Sequence, residues 1–91
     1  IFMIILSGVT ATNETMHSWD VVEHFLRDKN CVVGTYRIDA HNLAEYGITA
    51  VNLNRKKEVV SHTKNETNPY VMYGLIFEEP EEEFLFRLKY L

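Results

Sequence analysis

Cysteine, long apolar runs and basic charge are all scarce in this chain, and each shortage excludes a class of protein. Its one cysteine, Cys31, has no partner for a disulfide within the chain. That usage is typical of a reducing compartment, so we expect a cytoplasmic location. The apolar run at residues 1–6 is too short to cross a membrane and lacks the basic flank of a signal peptide. We therefore expect no membrane contact.

The sequence also lacks the short motifs of metal and cofactor sites. It has four histidines, but no Cys-x-x-Cys and no His-x-x-x-His pattern. On a helix, His17 and His24 would lie about 10.5 Å apart along the axis. That is too far for them to share one metal ion without ligands from elsewhere. We therefore expect no metal and no cofactor, and the lack of a catalytic constellation favours a protein that is not an enzyme.

What is present is the composition of an ordinary globular domain. The chain has 91 residues, of which 46% are apolar and 24% charged, and we expect a single domain over residues 1–91. The formal net charge of −4 lacks the basic footprint of a nucleic-acid-binding protein. The short basic run of Arg55, Lys56 and Lys57 fits a solvated turn.

The C-terminal segment carries the clearest pattern. Two aromatic-rich apolar runs, residues 70–77 and 84–91, flank five glutamates grouped around Pro80. Alternate positions of the second run are large and apolar, namely Phe84, Phe86, Leu88 and Tyr90. This period of two indicates a half-buried strand, so the segment predicts a β-hairpin with an acidic tip, which should cost some stability because like charges repel. The predicted tip, and the predicted contact with a partner, consists of Glu78, Glu79, Glu81, Glu82 and Glu83.

The rest of the chain alternates between strand and helix patterns. The predicted elements are a strand buried on both faces, a helix, a strand, a short helix and the two strands of a hairpin, at residues 1–7, 14–29, 31–38, 40–46, 48–54 and 58–64. With the C-terminal hairpin, the order is β-α-β-(short α)-β-β-β-β. This order predicts an α+β fold in which one main helix packs on a mostly antiparallel sheet of five or six strands.

Two weaker candidate sites lie elsewhere. The loop from Gly8 to Asn13 joins a strand to a helix N-terminus, a geometry that suits an anion, but it has neither the second glycine nor the lysine of nucleotide-binding motifs. Asp39 and His41 bring a carboxylate near an imidazole, as acid–base catalysis requires. Asp39 is explained equally well as a helix N-cap. Neither feature identifies a catalytic residue.

These observations favour a small non-enzymatic interaction module, an inhibitor or adaptor, that contacts another protein through the acidic tip. We also expect a homodimer, because the strands at residues 1–6 and 70–77 are apolar on both faces. One alternative is an acidic inhibitor that occupies the nucleic-acid channel of a DNA- or RNA-processing enzyme and binds no nucleic acid itself. Another is a small enzyme or ligand-binding protein that uses the loop from Gly8 to Asn13 with Asp39 and His41.

Overall fold

The fold is α+β, as the sequence predicts. The computed structural model describes residues 3–8, 17–62 and 71–91, and within them three helices pack on a five-stranded mixed sheet. The strands are β1 (Met3–Ser7), β2 (His17–Ser18), β3 (Ile48–Asn52), β4 (Glu58–Val59) and β5 (Met72–Phe77). The helices are α1 (Asp20–Asp28), α2 (Tyr36–Ala44) and α3 (Pro80–Tyr90), with short 3-10 turns at Leu53–Arg55 and Val60–His62.

Strand β5 lies at the centre of the sheet, whose order is β2-β1-β5-β3-β4. It pairs antiparallel with β1 and β3, and β3 pairs antiparallel with β4, whereas β1 and β2 are parallel. Successive side chains of a strand point to opposite faces of the sheet. On one face Leu6, Leu75 and Ala50 join the buried side chains of all three helices in one apolar cluster. The helices therefore cover this face.

The opposite face of the sheet is open at β1. Ile5, Gly74 and Val51 lie side by side there across three strands; the Ile5 side chain is 47% exposed, whereas Val51 is 3% exposed. The prediction of a strand buried on both faces is therefore wrong over Met3–Ser7, because Ile5 is exposed on the face opposite the helices; residues 1–2 lie outside the described residues. The Met3 side chain lies over Gly74, where any Cβ would collide with it.

Helix α1 is shorter than the predicted helix at residues 14–29. His17 and Ser18 form β2, and the Trp19 amide donates to the Ser7 carbonyl at 2.9 Å. Because residues 17–19 are paired with β1, the helix begins only at Asp20. Residues 14–16 lie outside the described part of the chain. Val22, Phe25 and Leu26 form the buried stripe, with the i, i+3, i+4 spacing of an amphipathic helix.

The prediction of a strand at residues 31–38 is wrong. A loop follows α1, and α2 begins at Tyr36 because Thr35 caps it: the Thr35 hydroxyl accepts from the Ile38 amide at 3.3 Å. Asp39 is therefore not the N-cap but lies in the first turn of α2. The predicted short helix at residues 40–46 exists with an earlier start, and Gly47 takes a positive φ of 74° after its end.

The largest correction concerns the predicted C-terminal hairpin, because its second arm is helix α3. Pro80 occupies the start of the helix, where a missing amide proton costs nothing. Three glutamates fill the first turn beside the positive end of the helix dipole, and Arg87 and Lys89 fill the last turn. Arg87 Nε lies 3.3 Å from Glu83 Oε2, an i, i+4 ion pair. The acidic cluster is thus a helix start and not a hairpin tip.

The predicted strand at residues 70–77 is confirmed over β5. The predicted hairpin with strands at residues 48–54 and 58–64 is confirmed over β3 and β4 only, because Leu53–Arg55 and Val60–His62 form 3-10 turns. Val51 pairs with Val59, and the chain turns through the basic run, where Lys56 and Lys57 have positive φ values of 54° and 62°. Residues 63–64 and 70 lie outside the described residues. The basic run is exposed, as expected of a solvated turn.

The helical structure reverses the expected effect of the acidic cluster on stability. Because carboxylates in a first turn favour the helix, Glu81→Gln/Glu82→Gln should lower the free energy of unfolding at low salt by about 0.3–1 kcal/mol for each glutamate. Urea unfolding measures the change. Glu58→Gln, an exposed glutamate on β4, is the control and should have little effect. A double variant at least as stable as this control would contradict the interpretation.

Candidate functional site

Helix α3 is apolar on two opposite sides. Phe86 is buried and Tyr90, one turn later, is half-buried against the core. On the other side Phe84, Leu85 and Leu88 are 61%, 56% and 68% exposed. We call these three side chains the α3 outer face. Single exposed apolar residues are ordinary, but three adjoining large ones on a short helix form a patch of the kind found at interfaces.

A cleft of about 720 Å³ adjoins the α3 outer face and lies between the C-terminal ends of α1 and α2, the sheet and α3. Its apolar lining consists of Phe25, Tyr46, Ile48, Phe77, Leu85, Phe86, Leu88 and Tyr90. The ring of Phe86 lies 5.3 Å from that of Phe25 and 5.4 Å from that of Phe77, between centroids. Leu85 and Leu88 belong to the cleft and to the outer face, so the two form one continuous surface.

Two lysines line this cleft, and their environments differ. Lys89 Nζ lies 3.6 Å from Asp28 Oδ2. Lys29 Nζ lies 5.6 Å and 5.8 Å from the ring centroids of Phe25 and Tyr46, which is cation–π distance. Within the described residues, no carboxylate lies within ion-pair distance of Lys29. The cleft therefore combines aromatic walls with one ammonium group that has no anionic partner in that part of the chain.

A hydrogen bond between Tyr90 and Asp28 holds the end of α3 against α1. Tyr90 Oη donates to Asp28 Oδ2 at 2.7 Å. This bond is the largest cause that lowers the pKa of Asp28, and Lys89 and His24 lower it further. Burial, followed by the interaction with Asp28, raises the pKa of Tyr90 to about 12. Tyr90 therefore remains a donor, and Asp28 a charged acceptor, across the neutral range.

The five glutamates predicted to contact a partner surround the start of α3. Glu78 and Glu79 precede the helix, and Glu81, Glu82 and Glu83 form its first turn. All are exposed except Glu83, which is half-buried and paired with Arg87. They therefore lie at one end of the α3 outer face and not at a hairpin tip. Their role in partner binding remains a prediction.

Asp39 and His41 do not form a joint site. Asp39 is fully buried; its Oδ2 accepts from Trp19 Nε1 at 2.9 Å and its Oδ1 from the Gly34 amide at 3.0 Å. His41 is exposed on α2. Asp39 therefore fastens the loop before α2 to the tryptophan that begins α1. Of the loop from Gly8 to Asn13, only Gly8 is described, and its carbonyl accepts from the Tyr36 hydroxyl.

The remaining candidate residues lie apart. Cys31 is half-buried in a loop, not in the predicted strand, with its sulfur 3.8 Å from Tyr46 Oη; this contact is the main cause that raises the pKa of Tyr46. His17 lies in β2 and His24 in α1, so they do not share a helix face as supposed. Across residues 3–8, 17–62 and 71–91, no three metal-binding side chains converge, and no helix has the length and apolar character needed to span a membrane.

Comparison with known proteins found no relative that could indicate the function of this chain. The chain matches no protein-family model, and searches of curated proteins and of solved structures found no significant match. The α3 outer face and the cleft were both missed in the sequence. The signal that could have revealed them is Pro80 followed by three glutamates, which marks a helix start.

We expect Asp39→Asn to destabilise the fold. An asparagine has only one side-chain acceptor, so either Trp19 Nε1 or the Gly34 amide would lose its partner in a buried site, at a cost of about 1–3 kcal/mol. Urea unfolding, with tryptophan fluorescence as the signal, measures the loss. Asp20→Asn, in the exposed first turn of α1, is the matched control. Equal losses in the two variants would contradict the structural role of Asp39.

Tyr90→Phe should lower stability in a pH-dependent way. Because the folded-state pKa of Asp28 is lowered, its contribution is present above the ordinary aspartate pKa and is lost as pH falls through the lowered value. The difference between parent and Tyr90→Phe should therefore be largest near neutral pH and shrink as the pH falls below the ordinary pKa of aspartate and through the lowered pKa of Asp28. Urea unfolding over that range measures it. Tyr46→Phe, whose hydroxyl contacts Cys31, is the control; a pH-independent Tyr90→Phe effect would refute the assignment.

Proposed function

We propose that this protein is a non-enzymatic protein-binding domain, an inhibitor or adaptor, whose partner docks on the α3 outer face and the adjoining cleft. The observation that carries this proposal is the exposure of Phe84, Leu85 and Leu88 on a helix whose opposite side already packs on the core. Contiguous apolar surface of this kind is unfavourable in water and commonly marks an interaction site.

The partner that suits this surface is an amphipathic helix. Its apolar side chains would lie along α3 and enter the cleft, the mode in which a helix occupies a groove. The exposed glutamates at the start of α3 favour a partner with lysine or arginine beside its apolar stripe at that end. Lys29 favours a carboxylate at the cleft. The acidic cluster would then orient the partner, while the apolar side chains supply most of the affinity.

The alternative of an acidic inhibitor in a nucleic-acid channel has less support. Such an inhibitor needs negative charge along an extended track, as in a phosphate backbone. Here the glutamates of the first turn of α3 are followed by Arg87 and Lys89 in its last turn. Lys29 and Lys89 line the cleft together with Glu45 and Glu82, so the charge is mixed and not a negative track. High affinity for a DNA- or RNA-processing enzyme, with a steep loss as salt rises, would favour this alternative.

Binding of a helical probe tests the proposal. The probe is a synthetic peptide with leucines at i, i+3, i+4 and i+7 and lysines elsewhere, titrated into dilute protein and followed by the fluorescence of a peptide label. We expect Leu88, at the centre of the surface, to be a hot spot, so Leu88→Gln should weaken binding about tenfold, which corresponds to a loss of ~1.4 kcal/mol.

Ile5→Gln is the matched control, because Ile5 is also a large exposed aliphatic residue but lies on the other face of the sheet. It should bind the probe as the parent does. Unchanged binding by Leu88→Gln, or an equal loss in Ile5→Gln, would refute the proposed surface. Circular dichroism of both variants checks that each is folded.

A further inference from the structure

We infer that a second copy of this chain occupies the proposed surface, with the two α3 helices packed antiparallel about a two-fold axis. The inference rests on the proposed function, because it names the partner for the same surface. A two-fold interface requires one patch that is complementary to itself. Helix α3 meets this requirement in its apolar spacing and in its charge.

The apolar spacing of α3 fits helix pairing. Phe84, Leu88 and Leu91 are four and three residues apart, the spacing of the apolar seam of a coiled coil, and all three are exposed. In an antiparallel pair centred near residue 86, Phe84 of each copy lies opposite Leu88 of the other. Phe86 itself points into its own core, so the seam and the core use opposite sides of the helix. Helix α3 can therefore make both contacts at once, with Phe86 in the core and Phe84, Leu88 and Leu91 in the seam.

The charge pattern of α3 selects the antiparallel orientation. Glu81, Glu82 and Glu83 lie in the first turn, and Arg87 and Lys89 in the last. A parallel pair would bring the two acidic turns together, and like charges repel. An antiparallel pair places each acidic turn beside the basic turn of the other copy and aligns the helix dipoles favourably. A second copy of the chain, turned end to end, has this reversed pattern of charge along the same apolar seam.

The cleft extends the contact beyond the helices. Lys29 lacks a carboxylate partner among the described residues of its own chain, and Leu88 stands at the edge of the cleft that Lys29 lines. An acidic first turn arriving from a second copy brings carboxylates toward this ammonium. Because α3 has only 11 residues, the interface is small, and we expect a dimer that dissociates on dilution in the micromolar range.

Sedimentation velocity from about 1 to about 300 µM tests self-association. We expect the parent to pass from monomer to dimer, and Ile5→Gln to do the same. Leu88→Gln should raise the dissociation constant about hundredfold, because each dimer loses two such contacts. Excess leucine–lysine peptide should shift the parent toward the monomer, since both compete for one surface.

Disulfide trapping tests the orientation. In a Cys31→Ser background, an oxidised mixture of Phe84→Cys and Leu88→Cys chains should give the mixed 84–88 dimer in preference to the 84–84 and 88–88 dimers. A preference for like pairs would indicate a parallel arrangement and overturn the inference. So would a dimer that Ile5→Gln abolishes and Leu88→Gln does not.

A chain that stays monomeric at every concentration yet binds the peptide through Leu88 overturns the second copy as partner and retains the binding surface. A chain that neither self-associates nor binds the peptide overturns both. A dimer sensitive to Leu88→Gln, with mixed 84–88 crosslinks, supports both.

Discussion

The packing of Phe86 against Phe25 and Phe77 is the contact on which the candidate site depends. It attaches α3 to α1 and to β5, with ring centroids 5.3 and 5.4 Å apart, and the Tyr90–Asp28 hydrogen bond secures the helix one turn later. Successive residues of a helix are spaced by about 100°. Because Phe86 and Tyr90 face the core, the α3 outer face must point away from it. The exposure of the α3 outer face is thus a consequence of how α3 docks.

This same docking explains why the sequence was misleading at its C-terminal end. Phe84, Phe86, Leu88 and Tyr90 alternate as in a strand, but the core takes only Phe86 and Tyr90, which are four apart. A helix with apolar residues on two opposite sides can also show an apolar residue at every second position. Periodicity alone therefore could not distinguish a helix from a strand here. The two ends of α3 did indicate a helix, because Pro80 and the glutamates after it are typical of a helix start and basic residues are typical of a last turn. The acidic cluster was found in the sequence, but its geometry was not.

Elsewhere the sequence predicted three of the strand segments but not β2, the loop at residues 31–35 or the contacts between distant segments. β1, β5 and the β3–β4 hairpin follow from apolar runs and turns that are local properties of the chain. The segment before α2 is rich in β-branched residues, yet it forms a loop because the buried Asp39 accepts from Gly34 and from Trp19. Residues 19 and 39 are 20 positions apart, and no local pattern predicts that pair. The cleft between the three helices and the sheet could not be predicted from the sequence for the same reason, because its lining comes from segments far apart in the chain.

In the proposed interface, the glutamates around α3 would combine a structural role with an interaction role. A first turn of carboxylates stabilises a short helix that begins at a proline, and the same charges define which end of the apolar seam is negative. Apolar surface alone is non-directional and would accept a partner in several orientations. Charges at the two ends penalise the wrong orientation, since like charges would meet there. In the proposed dimer, the apolar seam between an acidic and a basic end would therefore favour one orientation of the partner, and α3 already contains every residue that this requires.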